Sequence, residues 1–197
     1  MNESASMRPA GLIPLLLALL LGACAPAPDP PLKGATMGGP FTLTDQNGRR
    51  VSDRDFAGKY RLVYFGYTYC PDVCPVDMRV IGAGLRRFEA NDAGRAAIVQ
   101  PIFITVDPER DTPAVLRQYV AAFHPRMIGL TGSADEIAGV AGRYRINYER
   151  GAATSAGYLM NHTRNAILYG PDGAPLAIIP HDQGPDGVAG ELGRWVR

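Results

Sequence analysis

The chain has 197 residues, with 20 Lys and Arg against 19 Asp and Glu, for a formal net charge of +1. That balance excludes a strongly basic nucleic-acid binder and an acidic tail protein, so no nucleic-acid partner is expected. The hydrophobic fraction of 46% with 20% charged residues is that of a folded domain, and three cysteines are too few for a disulfide scaffold.

The N-terminus opens with an apolar run at residues 11–23, preceded by Arg8. A spanning helix needs about 20 apolar residues, so this shorter run has the length of a signal-peptide core. It closes on Leu21-Gly22-Ala23-Cys24, which resembles a bacterial lipobox. Residues 1–23 are therefore expected to be a lipoprotein-type signal peptide. Cys24 is the expected lipid anchor, and residues 24–39 a Pro-rich linker. The alternatives are an uncleaved anchor and plain secretion. All three place the folded part, residues 40–197, outside the cytoplasm, and the lipobox reading puts it on a bacterial envelope membrane facing the periplasm.

Phe41 to Thr44 and Arg49 to Val51 flank an Asn47-Gly48 turn and predict an N-terminal β-hairpin. Ser52 caps a helical turn at Asp53–Phe56 that ends at Gly58. Arg61–Tyr67 is a β-branched and aromatic run, hence a buried strand. Met78, Ile81, Leu85 and Phe88 recur at helical spacing across residues 76–88. A second apolar strand spans 97–106, and Thr112-Pro113 opens a helix to Phe123. Residues 127–130 read as a strand, and Ser133 with Glu136 forms a capping box for a helix to Tyr144. Residues 147–161 read as a long loop. A hairpin follows over 164–169 and 174–179, then a helix over 186–196. Alternating strands and helices imply an α/β fold, a mixed central sheet with helices on both faces.

Cys70 and Cys74 sit where the first core strand meets a helix. A helix N-terminus stabilises thiolate through its dipole and free amides, which favours disulfide chemistry and metal binding alike. A plain structural disulfide is the third possibility. The spacing alone does not choose among them. Two soft thiolates plus an imidazole suit copper, and only three histidines exist. His124 precedes Pro125 at a helix end and is read as a surface residue. His181 lies beside Asp182 and is read as solvated. His162, after the long loop, is the favoured third donor, with Met160 as a further thioether nearby. Asp107, Glu109, Arg110 and Asp111 read as a solvated loop or, because they follow the second strand on the same sheet edge as the cysteines, as the rim of the site. Tyr64, Phe65, Tyr67 and Tyr69 supply strand core and site wall.

Three segments together resemble the Sco proteins, also called the SenC or PrrC group: Thr68–Met78 (TYCPDVCPVDM), Thr105–Pro113 (TVDPERDTP) and Asn161-His162-Thr163. The resemblance runs from about Pro40 to the C-terminus. It implies a membrane-tethered, thioredoxin-like copper protein that assists cytochrome c oxidase assembly. It further implies Cys70, Cys74 and His162 as copper ligands and Asp107 as an acidic residue on the metal-site face. The implied role is to deliver copper to the CuA-bearing subunit of the oxidase or to reduce its cysteines. Other periplasmic copper chaperones or thiol reductants would be the further partners. The family has Asp before the ligand histidine, where this chain has Asn161, an uncharged candidate for orienting the imidazole. A thiol–disulfide reductase acting through Cys70 and Cys74 is the alternative function, with Cys70 as attacker. A thiol peroxidase is the remote third.

Overall fold

The computed structural model describes residues 28–154 and 157–197. Cys24 and the apolar run before it lie outside the described residues. Among the described residues, no helix is long and apolar enough to cross a membrane.

The strands are β1 (Thr42–Asp45), β2 (Arg50–Ser52), β3 (Tyr60–Gly66), β4 (Val99–Thr105), β5 (Ile128–Thr131), β6 (Tyr148–Thr154), β7 (Gly157–His162), β8 (Ala166–Tyr169) and β9 (Pro175–Ile179). The helices are α1 (Val73–Asn91), α2 (Ala93–Ala97), α3 (Pro113–Ala121), α4 (Ala134–Arg143) and α5 (Gly184–Trp195). Seven strands form one sheet in the order β2-β1-β5-β4-β3-β8-β9, while β6 and β7 pair only with each other.

The centre of the sheet is parallel (β3, β4, β5), and its flanks are antiparallel. Every residue of β3 is buried, as expected of a strand covered on both faces. Alternation along β3 divides the core. Tyr60, Leu62 and Tyr64 face the side covered by α1, α3 and α5, where they meet Ile81, Leu85, Leu116 and Trp195. Val63 and Phe65 face the side covered by α4. Each fully buried Leu, Ile or Phe stabilises the fold by about 1.5–3 kcal/mol before entropy is counted.

Local chemistry explains the boundaries. Gly48 takes a positive φ of 79° to turn the first hairpin. Thr112 accepts a hydrogen bond from the amide of Val115 at the start of α3, with Pro113 at the first position. Ser133 accepts from the amide of Glu136 (3.2 Å), and Glu136 returns the bond to the amide of Ser133 (2.8 Å). Gly84 is needed because a Cβ there would stand 2.4 Å from the Val188 side chain, which packs directly on the α1 backbone.

Two expectations change. Residues 147–161 are not a loop: β6 and β7 make a separate antiparallel ribbon with a bulge between Arg150 and Ala153. Its sequence hides it, because strand patterning is weak in a ribbon that touches the core mainly through Tyr148 and Met160. The stretch expected to be a free linker is tied down from Leu32, whose amide donates to the carbonyl of Leu176 (3.0 Å). Leu32 and Met37 also pack on the core.

Candidate metal centre

The parallel register of β3 and β4 places Gly66 beside Thr105, so the segments that follow both strands leave the sheet at one edge. Ligands of open α/β sheets gather at such carboxyl ends. The cysteine loop follows β3, the 107–111 turn follows β4, and the amide of Val106 donates to the carbonyl of Gly66 (2.8 Å) to seal the junction.

Cys70 lies in the loop and Cys74 in the first turn of α1. Both are free thiols and both are buried, Cys70 at 9% exposure and Cys74 at 0%. The amide of Cys74 donates to the sulfur of Cys70 (3.3 Å). The neighbouring Cys74 side chain, with the Cys74 and Asp72 amides, holds the Cys70 thiol well below the ordinary range against burial. Cys74 goes the other way, because the Cys70 sulfur beside it and its own deeper burial keep its proton on.

His162 ends β7 and brings Nε2 to 3.2 Å from the sulfur of Cys74. Its Nδ1 stands 3.0 Å from the carbonyl of Thr163. A carbonyl only accepts, so Nδ1 is the donor there and Nε2 is the nitrogen turned to the sulfur. That ring orientation is the one metal binding through Nε2 requires. The rings of Tyr64 and Tyr67 stand edge-on to the imidazole, at centroid distances of 6.3 and 6.0 Å. An open cleft of about 340 Å³ reaches the site between Tyr67, Cys70, Leu159, Met160 and His162.

Asn161 does not reach the imidazole. Adjacent residues on a strand point to opposite faces. The Asn161 amide therefore donates to Glu149 on the exposed side (3.1 Å), and the Thr163 carbonyl does the orienting. Asp107 is buried at the rim, bound by Arg110 and by the hydroxyl of Tyr158 (2.7 Å). His124 is buried rather than at the surface. Its Nδ1 accepts from the amide of Arg126 (3.3 Å), and burial lowers its pKa. The turn after α3 folds onto the core, which the adjoining proline did not signal.

His181 is not solvated either. It belongs to a buried cluster that sequence reasoning missed. Asp77, one helical turn after Cys74, accepts from Tyr64 Oη (2.8 Å) and from Arg164 through Nε (3.0 Å) and Nη2 (2.7 Å). His181 Nε2 lies 3.4 Å from the same carboxylate. Asp77 is desolvated, which opposes its charge, yet its hydrogen bonds from His181, Arg164 and Tyr64 win and depress its pKa. The bond to Asp77 raises the pKa of His181 against burial. The available signal was a carboxylate on the cysteine side of an apolar helix.

Among the described residues, no three His, Cys, Asp or Glu side chains stand already assembled around a metal-sized gap. The imidazole and the Cys74 sulfur stand at hydrogen-bonding distance. The donor chemistry fits copper: two sulfurs and an imidazole nitrogen gathered at one pocket.

The SCO1/SenC family model matches residues 29–197. The chain belongs to the SCO1/SenC family. It is 41% identical over 138 residues to Protein SCO1 homolog 1, mitochondrial, of Arabidopsis thaliana, covering 70% of this chain and 40% of the relative. The chain spans about half the length of the curated relatives it matches, 53% and 56% of two mammalian ones. Among solved structures it resembles Bradyrhizobium japonicum ScoI with copper bound. The TM-score is 0.73 at 41% identity, over 81% of this chain and 99% of that one. It also resembles BsSco, reported with a disulfide switch and described as a member of the Sco family of cytochrome c oxidase assembly proteins. There the TM-score is 0.61 at 26% identity, over 84% of this chain and 94% of that one. The fold of this SCO1/SenC member is thioredoxin-like, α/β with a mixed central sheet.

Proposed function

We propose that this chain is a copper chaperone and assembly factor that carries one copper ion on Cys70, Cys74 and His162 and serves the CuA-bearing subunit of cytochrome c oxidase. The observation that carries the reading is the approach of His162 Nε2 to the Cys74 sulfur (3.2 Å), with Cys70 bonded into the same pocket. Copper bound in the Bradyrhizobium relative and the oxidase-assembly role described for BsSco support it. Copper is cargo here. Two thiolates and an imidazole satisfy Cu(I), while Cu(II) wants a further weak ligand. A lipid on Cys24 would hold the domain at the periplasmic face of the bacterial envelope, within reach of a membrane-bound oxidase. Exchange with other periplasmic copper chaperones or thiol reductants would then load or reset the site.

The test is a copper titration of reduced protein. Wild type is expected to bind one Cu(II) per chain with a thiolate-to-copper absorption band, and His162→Ala to lose or shift that band. An unchanged band in His162→Ala would remove His162 from the ligand set.

A second reading has its own support in the unequal cysteines. Cys70, the more exposed thiol and the one with the depressed pKa, is suited to attack a partner's disulfide, and Cys74 to resolve the mixed disulfide. The partner would leave with two thiols, and this chain with a Cys70–Cys74 disulfide unable to hold copper. Activity lost in Cys70→Ser and retained in His162→Ala would favour this reading.

A further inference from the structure

The turn after β4 touches both segments that carry the proposed ligands. Towards the cysteines, the Asp111 carboxylate accepts from the amide (3.0 Å) and hydroxyl (2.6 Å) of Thr68, two residues before Cys70. It also accepts from Thr105 Oγ1 (2.6 Å). Towards the histidine, Asp107 Oδ1 accepts from Tyr158 Oη (2.7 Å), four residues before His162, while Asp107 Oδ2 is bound by Arg110. Arg110 spans the gap. Its guanidinium carbon stands 3.7 Å from the ring centroid of Tyr158 on the ribbon. It stands 4.9 and 5.8 Å from those of Tyr69 and Tyr67 on the cysteine loop. Glu109 adds an outer bond to Arg150 Nη2 of β6 (2.6 Å).

A two-stranded ribbon is marginally stable by itself. The base of this one is tied through Asn147 and Thr163, whose backbones bond at 2.9 Å. Beyond its base, Asp107 and Arg110 are strong anchors, because Asp107 is buried and a charge-assisted bond shielded from water outweighs an exposed one. We propose that Asp107, Arg110 and Tyr158 are positioning residues that clamp the β6–β7 ribbon to the cysteine loop, set the reach of His162 to the sulfurs, and by opening set the rate at which the imidazole lets copper go. The consequence for copper rests on the ligand reading above, whereas the clamp itself does not.

The test uses the full chain in two states, with Arg110→Ala, Arg110→Lys and Tyr158→Phe. In metal-free protein, amide hydrogen exchange over 158–162 is expected to quicken about tenfold in Arg110→Ala, with β3 and β4 unchanged. Arg110→Lys restores the charge but not the planar stacking face, so partial rescue is expected. In copper-loaded protein, transfer of Cu(II) to excess chelator is expected to quicken by a similar factor in Arg110→Ala. Adding Arg110→Ala to a His162→Ala background is expected to change nothing further. Unchanged exchange over 158–162, or equal acceleration of transfer in the His162→Ala background, overturns the clamp. Should Arg110→Ala not fold, Tyr158→Phe, which keeps the ring and loses the hydroxyl's bonds to Asp107 and, more weakly, Glu109, decides both arms with a smaller shift in the same direction. Should wild type take up no copper, the chaperone reading falls and the metal-free arm still decides the clamp.

Discussion

Cys70 and Cys74 stand where a fully buried parallel strand enters a helix of 19 residues, whereas His162 ends a two-stranded ribbon whose alternate residues are exposed. The sulfur half is held by core packing on both faces of the sheet. The imidazole half is held by its base, by Tyr148 and Met160 against the core, and by the turn after β4. A carrier of metal has to bind and then release. On the proposed ligand set, one rigid half with one detachable half would meet both needs: the sulfurs would keep the ion while a single ligand leaves.

The widest way to break this contrast is Cys74→Ser. It removes one of the proposed soft ligands from the rigid half, and copper affinity, read by competition with a chelator, is expected to fall by more than about a hundredfold. Retained affinity would mean that the copper site lies elsewhere.

Next is the foundation beneath the sulfurs. Asp77→Ala leaves Tyr64 Oη, His181 and the Arg164 guanidinium without their shared acceptor. A loss of about 2–4 kcal/mol is expected in denaturant unfolding of the metal-free protein. Arg164 is half-exposed and can turn to water, which keeps the loss below that of a fully buried pair.

The same cluster gives the metal-free protein a pH signature. The pKa of Asp77 is depressed on folding, so its contribution is present above its unfolded pKa of about 3.9 and is lost as pH falls through the lower folded value. The pKa of His181 is raised, so its contribution is full below its unfolded pKa of about 6.5 and fades as pH rises through the higher folded value. The cluster therefore stabilises most between about pH 4 and 6.5. Asp77→Asn is expected to flatten both flanks of the pH–stability curve. A curve of unchanged shape would dismiss the cluster as a stability element.

The smallest expected effect sharpens the contrast. Asn161→Asp restores the residue usual before the family's histidine, but on this ribbon it points at Glu149 and away from the imidazole. Two like charges on an exposed face cost within about 0.5 kcal/mol, and the copper absorption band should not move. A shifted band would show that the carboxylate acts on the imidazole after all.

Much of the fold was readable from the chain. β3, β4, the long helix after Cys74 and the Ser133 capping box follow from apolar runs, helical spacing and cap chemistry, each of which acts within a few residues. The cysteine pair was equally plain, since its spacing and its strand–helix junction are local. The ribbon was not readable, because Tyr148–His162 is anchored through partners far away in sequence, chiefly Asp107 and Arg110. Asn161 was misplaced for the same reason: on a loop it is free to reach the histidine beside it, and on a strand it is not.

The sequence by itself determined the family, the thioredoxin-like core and the sulfur half of the candidate site, because short-range patterning and a dense motif suffice for those. Only the tertiary structure decided how His162 approaches Cys74, which oxygen orients its ring, and that Asp77, His181 and Arg164 form one cluster beneath. These depend on strand register and on contacts between distant residues, 88 positions apart for Cys74 and His162 and farther still for Asp77 and His181, and such distances leave no periodic trace in a single chain.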